Sequence, residues 1–246
     1  MRVLFFKEIS SFLNSLIGYV FIIIYLVSCG LFHFVIDSET TNLNLFSNAE
    51  ANLIPFFGLS PWIFLMLIPA ITMRSFAEEK RTGTIELLAT KPISDLKIVL
   101  AKYLAGVALL IIAILPTLIY YFTIYELGKP VGSIDSGATF TSYLGLILIG
   151  SVFVAIGIFA STLTSSQIIS FIVAMFLCWF FYDGFERLGT WATFKSFDYR
   201  IKYIGMTFHY EKIEKGVIYL RDIVYFLSLI VVFLFASLHI FRIKKS

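Results

Sequence analysis

The sequence predicts an all-α membrane protein of six transmembrane helices with almost no soluble domain, and three observations lead there. Hydrophobic residues make up 59% of the 246 positions and charged residues only 14%. With a mean hydropathy of +0.91, the chain lacks the polar surface that a water-soluble fold must present. The apolar residues gather into six runs, most of them near the roughly 20 residues that a helix needs to cross a bilayer. The basic residues, finally, collect in alternate connections between those runs.

The runs predict spans over 16–36, 53–73, 103–125, 143–163, 165–182 and 223–241. The residues 1–246 therefore read as a single transmembrane domain. Ahead of the first span, Phe5, Ile9, Phe12, Leu13 and Leu16 follow helical spacing, with Lys7, Ser10, Ser11 and Asn14 on the other face. That pattern predicts a helix lying in the membrane interface. No small-residue cleavage site follows a short apolar core, so a removable leader is not expected. Between the fourth and fifth spans, Thr164-Ser165-Ser166-Gln167 leaves room only for a tight turn. Before the sixth span, Phe185, Leu188, Trp191 and Phe194 recur every third residue, and an aromatic-rich stretch follows. Short interfacial helices are expected there.

Orientation follows the positive residues of the short loops. Arg2, Lys7, Arg74, Lys80, Arg81, Lys91, Lys97, Lys102, Arg242, Lys244 and Lys245 fall on one side. The first and third connections on the other side hold Lys129 against Asp37, Glu39, Glu50, Glu126 and Asp135. Both termini are thus expected in the cytoplasm. The 183–222 connection mixes seven basic residues with six acids, and the even number of spans places it outside.

The function is written most densely in residues 74–102, where ten of 29 residues are charged. Gly83, flanked by Thr82 and Thr84, breaks the helix leaving the second span, and Glu86 sits in the first turn of a new short helix, where it complements the helix dipole. Pro92 stops that helix, and Ser94 or Asp95 is a suitable N-cap for the next. A short helix between two breaks, exposing Ile85, Leu87 and Leu88 beside charge, has the form of a docking element.

The string Phe-Ala-Glu-Glu-Lys-Arg-Thr-Gly-Thr-Ile-Glu-Leu-Leu, followed by Lys-Pro-Ile, resembles the loop after the second span of ABC-2 type transporter permeases. The resemblance extends to the interfacial N-terminal helix, the six spans and the short helices before the last of them. It implies the ABC-2 permease fold, with Arg74, Glu78, Glu79, Lys80, Thr82, Gly83, Thr84, Glu86, Leu87, Leu88 and Pro92 forming an ATPase-coupling segment. It also implies a separate ABC ATPase subunit that carries ATP and Mg, and a second permease chain, identical or different. Within the family, the Phe-Lys-Glu-Ile start and the Lys-Gly-Val-Ile-Tyr-Leu-Arg-Asp approach to the last span are similar to permease subunits associated with gliding motility. That narrower likeness implies export or secretion across a bacterial inner membrane, with an auxiliary membrane-anchored protein as a further partner.

No Gly-x-x-x-x-Gly-Lys-Ser/Thr loop occurs, so the chain is not expected to bind a nucleotide or any other cofactor. A formal charge of +3 gives no reason to expect nucleic acid, and Cys29 and Cys178 sit in apolar runs as small hydrophobes. Two other classes compete. For an integral-membrane enzyme, His33, His209 and His239 lie far apart with no ligand-spaced motif. For an ion-coupled secondary transporter, the spans lack the usual ionisable groups, and their interruptions (Pro69, Pro116 and several glycines) favour close helix packing. Co-purification with an ATPase separates both from the ABC reading.

Overall fold

A computed structural model describes residues 1–36, 44–45, 51–84, 94–190 and 198–245. Six helical segments in it are long and apolar enough to cross a membrane, with mean hydropathies of 1.9 to 2.6 over their apolar windows. No strand occurs among the described residues. The helices are α1 (Arg2–Leu13), α2 (Leu16–Gly30), α3 (Ile54–Thr72), α4 (Arg74–Arg81), α5 (Asp95–Ile114), α6 (Leu118–Leu127), α7 (Ser136–Leu163), α8 (Gln167–Trp179), α9 (Phe185–Thr190), α10 (Asp198–Ile204), α11 (Met206–Glu214) and α12 (Leu220–Lys245). Single π-helical turns at Leu31–Val35 and Phe180–Gly184 extend the first and fifth spans.

Several boundaries differ from the apolar runs. The third span begins at Asp95 rather than at Tyr103, because the helix continues through Lys97 and Lys102 into the polar segment. The fifth runs to Thr190, so Phe185 and Leu188 continue that span through the π turn instead of starting a separate interfacial helix. Trp191 and Phe194 lie outside the described residues. In α1 the inward positions are Leu4 and Glu8, while Leu16 is exposed. Phe5, Phe12 and Leu13 pack against the core and Lys7, Ser10, Ser11 and Asn14 are exposed, as the spacing predicts; the carboxylate of Glu8 on the buried face is the departure, for a reason that lies in α5.

The fourth span, α7, is the most buried of the six and forms the axis of the bundle. It packs against α12, α3, α8, α5 and α11. Its glycines permit that crowding: a Cβ on Gly157 would meet Thr72 Oγ1 at 2.0 Å, one on Gly150 would meet Leu110 at 2.5 Å, and one on Gly145 would meet Ile213 at 2.2 Å. The tight turn from α7 to α8 is closed by Ser166, which accepts from Ile169 N–H as the N-cap of α8.

One proline break is repaired by a tyrosine. Pro61 lies inside α3, so the carbonyl four residues before it, on Phe57, loses its helical donor. The Tyr210 hydroxyl of α11 donates to that carbonyl at 2.9 Å, and both residues are buried. Pro116 breaks the third span into a 3₁₀ turn over Leu115–Thr117, and just beyond it the Tyr143 hydroxyl of α7 donates to the Thr117 carbonyl at 2.9 Å.

The two ends of the bundle differ in character. At one end lie α4, the start of α5, the C-terminal end of α7, helix α1 and the last turns of α12, where Arg242 Nε approaches Asp95 at 3.6 Å and Phe241 packs on Phe76. At the other lie α10 and α11, with α11 seated on the start of α7 through Ser142, whose hydroxyl contacts the carbonyl oxygens of Ile213 at 3.1 Å and Glu214 at 2.9 Å.

Candidate functional site

The polar segment after the second span is built on α4. This helix continues α3 after a turn at Met73 and leaves the apolar region at once, with Ser75, Phe76 and Ala77 buried. Arg74 Nε pairs with Glu78 Oε2 at 3.3 Å, one helical turn on. The Lys80 ammonium donates to the Thr162 carbonyl in the last turn of α7, where cations complement the helix dipole. At the C-terminal end, Thr82 Oγ1 donates to the Glu78 carbonyl at 2.9 Å and meets Thr84 Oγ1 at 2.9 Å, while Thr84 reaches the Glu79 carbonyl at 3.4 Å. Gly83 follows with φ +72°, a left-handed conformation in open space that ends the helix. Arg81, Thr82, Gly83 and Thr84 are exposed. Glu86, Leu87, Leu88 and Pro92, with the short helix expected there, lie outside the described residues.

The inner face of α4 is organised by a residue counted in the sequence only as a loop charge. Lys102 is 2% exposed on the buried face of α5, beside Ile98, Val99, Ala101 and Ala105. An ammonium in that setting requires partners. It has two carboxylates: Glu79 Oε1 of α4 at 2.7 Å and Glu8 Oε1 of α1 at 3.2 Å. The Phe76 ring lies 5.1 Å from the ammonium, and Lys7 approaches Glu8 at 3.4 Å from the exposed side. The inward Glu8 of α1 thus serves the lysine. Glu79 Oε2 is buried with no hydrogen-bond partner among the described residues. A cleft of about 260 Å³ opens between α1, α4 and α5, lined among others by Ser11, Arg74, Glu78, Glu79, Thr82 and Thr84.

Of the expected residues, Arg74, Glu78, Glu79, Lys80, Thr82, Gly83 and Thr84 therefore share one helix and its cap. Glu8, Phe76 and Lys102 complete the arrangement and were not read as part of it. Their signal was present in a lysine seven residues inside a helix whose neighbouring positions are apolar. Chemically, the site is a rigid charged platform: one ammonium holds three helices together, and the exposed α4 cap projects from them. Among the described residues no group of three or more His, Cys, Asp or Glu side chains is placed to hold a metal ion.

The family model for ABC-2 family transporter proteins matches residues 3–245, nearly the whole chain. The chain belongs to the ABC-2 transporter family. It is accordingly a multi-pass membrane protein of the permease type, and the platform is that of an ABC-2 permease. No curated protein matches this permease.

Proposed function

We propose that this chain is the transmembrane subunit of an ABC exporter of a bacterial inner membrane, coupled to a separate ATPase through α4 and the residues up to Pro92. The observation that carries the reading is the platform itself. The exposed cap at Arg81–Thr84 is joined by α4 to the second span, by Lys102 to α1 and the third span, and by Lys80 to the end of α7. A push on the cap is thereby delivered to three spans and the interfacial helix together.

In this reading the end carrying α1, α4 and the last turn of α12 faces the cytoplasm, as the eleven basic residues of that side favour. ATP and Mg belong to the ATPase chain. Two permease chains and two ATPase subunits form the working complex, because six helices are few for a substrate pathway and a pair supplies one at the interface between them. Residues 74–102 act as the coupling segment of a single domain. Export linked to gliding motility or secretion, with an auxiliary membrane-anchored partner, rests on the similarity of the N-terminal Phe-Lys-Glu-Ile and the approach to the sixth span.

The test is co-purification and ATPase activity of the complex. Gly83→Val opposes a left-handed backbone at a cost of about 1 to 3 kcal/mol, and Glu86→Lys reverses charge in the coupling segment. Both variants should insert normally and lose ATPase association or transport-coupled hydrolysis, whereas reversing Lys129 should do neither. Full assembly and activity in both variants would make the segment an ordinary solvated loop. Cysteine labelling should reach positions beside Arg81 only from the cytoplasm and positions beside Lys202 only from outside. Labelling of both from one face would overturn the orientation.

A further inference from the structure

The cleft of about 260 Å³ between α1, α4 and α5 has balanced charges: Lys7, Arg74 and Lys102 line it against Glu8, Glu78 and Glu79. A purely anionic or purely cationic occupant would match only half of it. Within that balance one atom lacks a partner. Glu79 gives Oε1 to the Lys102 ammonium at 2.7 Å, while its Oε2 is buried with no hydrogen-bond partner among the described residues. A carboxylate oxygen so placed calls for a donor, and the terminal torsion of a glutamate is soft enough to turn Oε2 toward the cleft with Lys102 still held. Elsewhere on the wall donors are in excess. Lys7 is exposed and reaches Glu8 Oε1 only at 3.4 Å. Arg74 engages Glu78 through Nε, which leaves the terminal nitrogens of its fork as further donors.

The depth of the cleft narrows the choice of occupant. α1 turns Val3 and Phe6 outward at 85% and 64% exposure, and Leu16 at the start of the first span is 80% exposed. Apolar side chains so exposed beside a span are covered by acyl chains. α4 follows the second span after the single residue Met73, and α5 carries the third span outward to Asp95. The cleft therefore opens where two spans leave the hydrocarbon, in the headgroup layer.

We propose that this cleft seats the headgroup of a zwitterionic phospholipid with a primary ammonium, its phosphate on Lys7 and Arg74 and its ammonium on Glu79. A lysine and an arginine together take a phosphate through charge-assisted hydrogen bonds. The ammonium of a phosphoethanolamine headgroup, joined to that phosphate by a short ethylene link, supplies the N–H that Glu79 Oε2 lacks. A phosphocholine headgroup carries the same charges but no N–H, and a phosphoglycerol headgroup carries no cation, so each leaves Oε2 bare. The bound lipid ties α1 to α4 at the mouth of the cleft as Lys102 does at its floor. Nothing in this seat involves the ATPase, and the permease chain alone suffices to show it.

Native mass spectrometry of the full-length protein in detergent, titrated with dioleoyl phosphatidylethanolamine, phosphatidylcholine or phosphatidylglycerol, reads the selection. The first molecule of phosphatidylethanolamine should bind about tenfold or more tighter than the first of phosphatidylcholine, as the gain of a hydrogen bond to a charged group implies. Glu79→Gln keeps an oxygen for Lys102 and should abolish that preference. Lys7→Gln combined with Arg74→Gln should weaken both lipids alike and preserve their ratio. Free phosphoethanolamine at the same concentration should leave the bound lipid in place, since it lacks acyl chains. Equal retention of the first two lipids by the wild-type protein refutes the seat whatever the variants do. A tighter hold on phosphatidylglycerol than on phosphatidylethanolamine, an undiminished preference in Glu79→Gln, unweakened binding in the Lys7, Arg74 double variant, or displacement by free phosphoethanolamine would each overturn it as well.

Discussion

Replacing Lys102 by Met tests how the platform is held. The substitution keeps the length of the side chain and its apolar packing on α5 but removes the ammonium that Glu8 and Glu79 share, their side chains being 10% and 16% exposed. Breaking one partner out of a buried ion pair costs about 3 to 5 kcal/mol, because a buried charge is left uncompensated. Here Lys7 still approaches Glu8 from the exposed side, and Glu79 has the polar cleft beside it, so the lower end, about 3 kcal/mol, is expected. The triple variant Glu8→Gln, Glu79→Gln, Lys102→Met leaves three neutral side chains of similar volume and should recover most of that loss. Unfolding by denaturing detergent, followed by intrinsic fluorescence and repeated with the ATPase bound, measures both stability and coupling. The expected order is wild type, then the triple variant, then Lys102→Met, with coupling impaired in both variants. A Lys102→Met protein as stable as wild type would refute the view that the ammonium joins α1, α4 and α5.

Three further outcomes follow from the packing. Tyr210→Phe strands the Phe57 carbonyl beside Pro61 and should destabilise by about 1 to 3 kcal/mol, whereas Tyr225→Phe, whose bond to the Ile204 carbonyl is exposed, should cost less; thermal melts in detergent compare them. Gly157→Val drives a side chain into Thr72 and should destabilise by about 1 to 3 kcal/mol, read as a lower melting temperature. Burial, with a contribution from Glu211 and opposed by Lys215, raises the Glu214 carboxyl from 4.5 to about 7. The folded state then binds more protons than the unfolded state across that interval, so stability should fall as pH rises from 4.5 through about 7, and Glu214→Gln should flatten the profile.

The fold was legible where hydrophobic length is the deciding quantity. Six apolar runs produced six candidate spans, and the polar turn at Thr164–Gln167 was visible because nothing else fits between two long helices. The start of the third spanning helix was legible too, since Ser94 or Asp95 reads as its N-cap and the helix begins at Asp95; the apolar run from Tyr103 was less complete, because Ile98, Val99 and Ala101 provide a buried face that carries the span outward through Lys97 and Lys102. Gly83 was readable as a break because few other residues tolerate a left-handed backbone. The Glu8–Lys102–Glu79 cluster was not, since its members are 94 and 23 positions apart and a pairing across three helices leaves no periodic trace. The repair at Pro61 left no trace for a related reason, since the Phe57 carbonyl and the tyrosine that meets it are 153 positions apart.

That last separation bears on biogenesis. The second span enters the membrane with the Phe57 carbonyl bare, and its eventual donor is made 153 residues later. During synthesis of the third, fourth and fifth spans, α3 therefore carries an unpaired acceptor of the kind that hydrocarbon tolerates poorly. The nascent helix has reason to stay beside water or the insertion machinery rather than disperse into lipid. Arrival of Tyr210 ends that wait, so the helix that seats on the start of α7 also supplies the donor that the second span lacks.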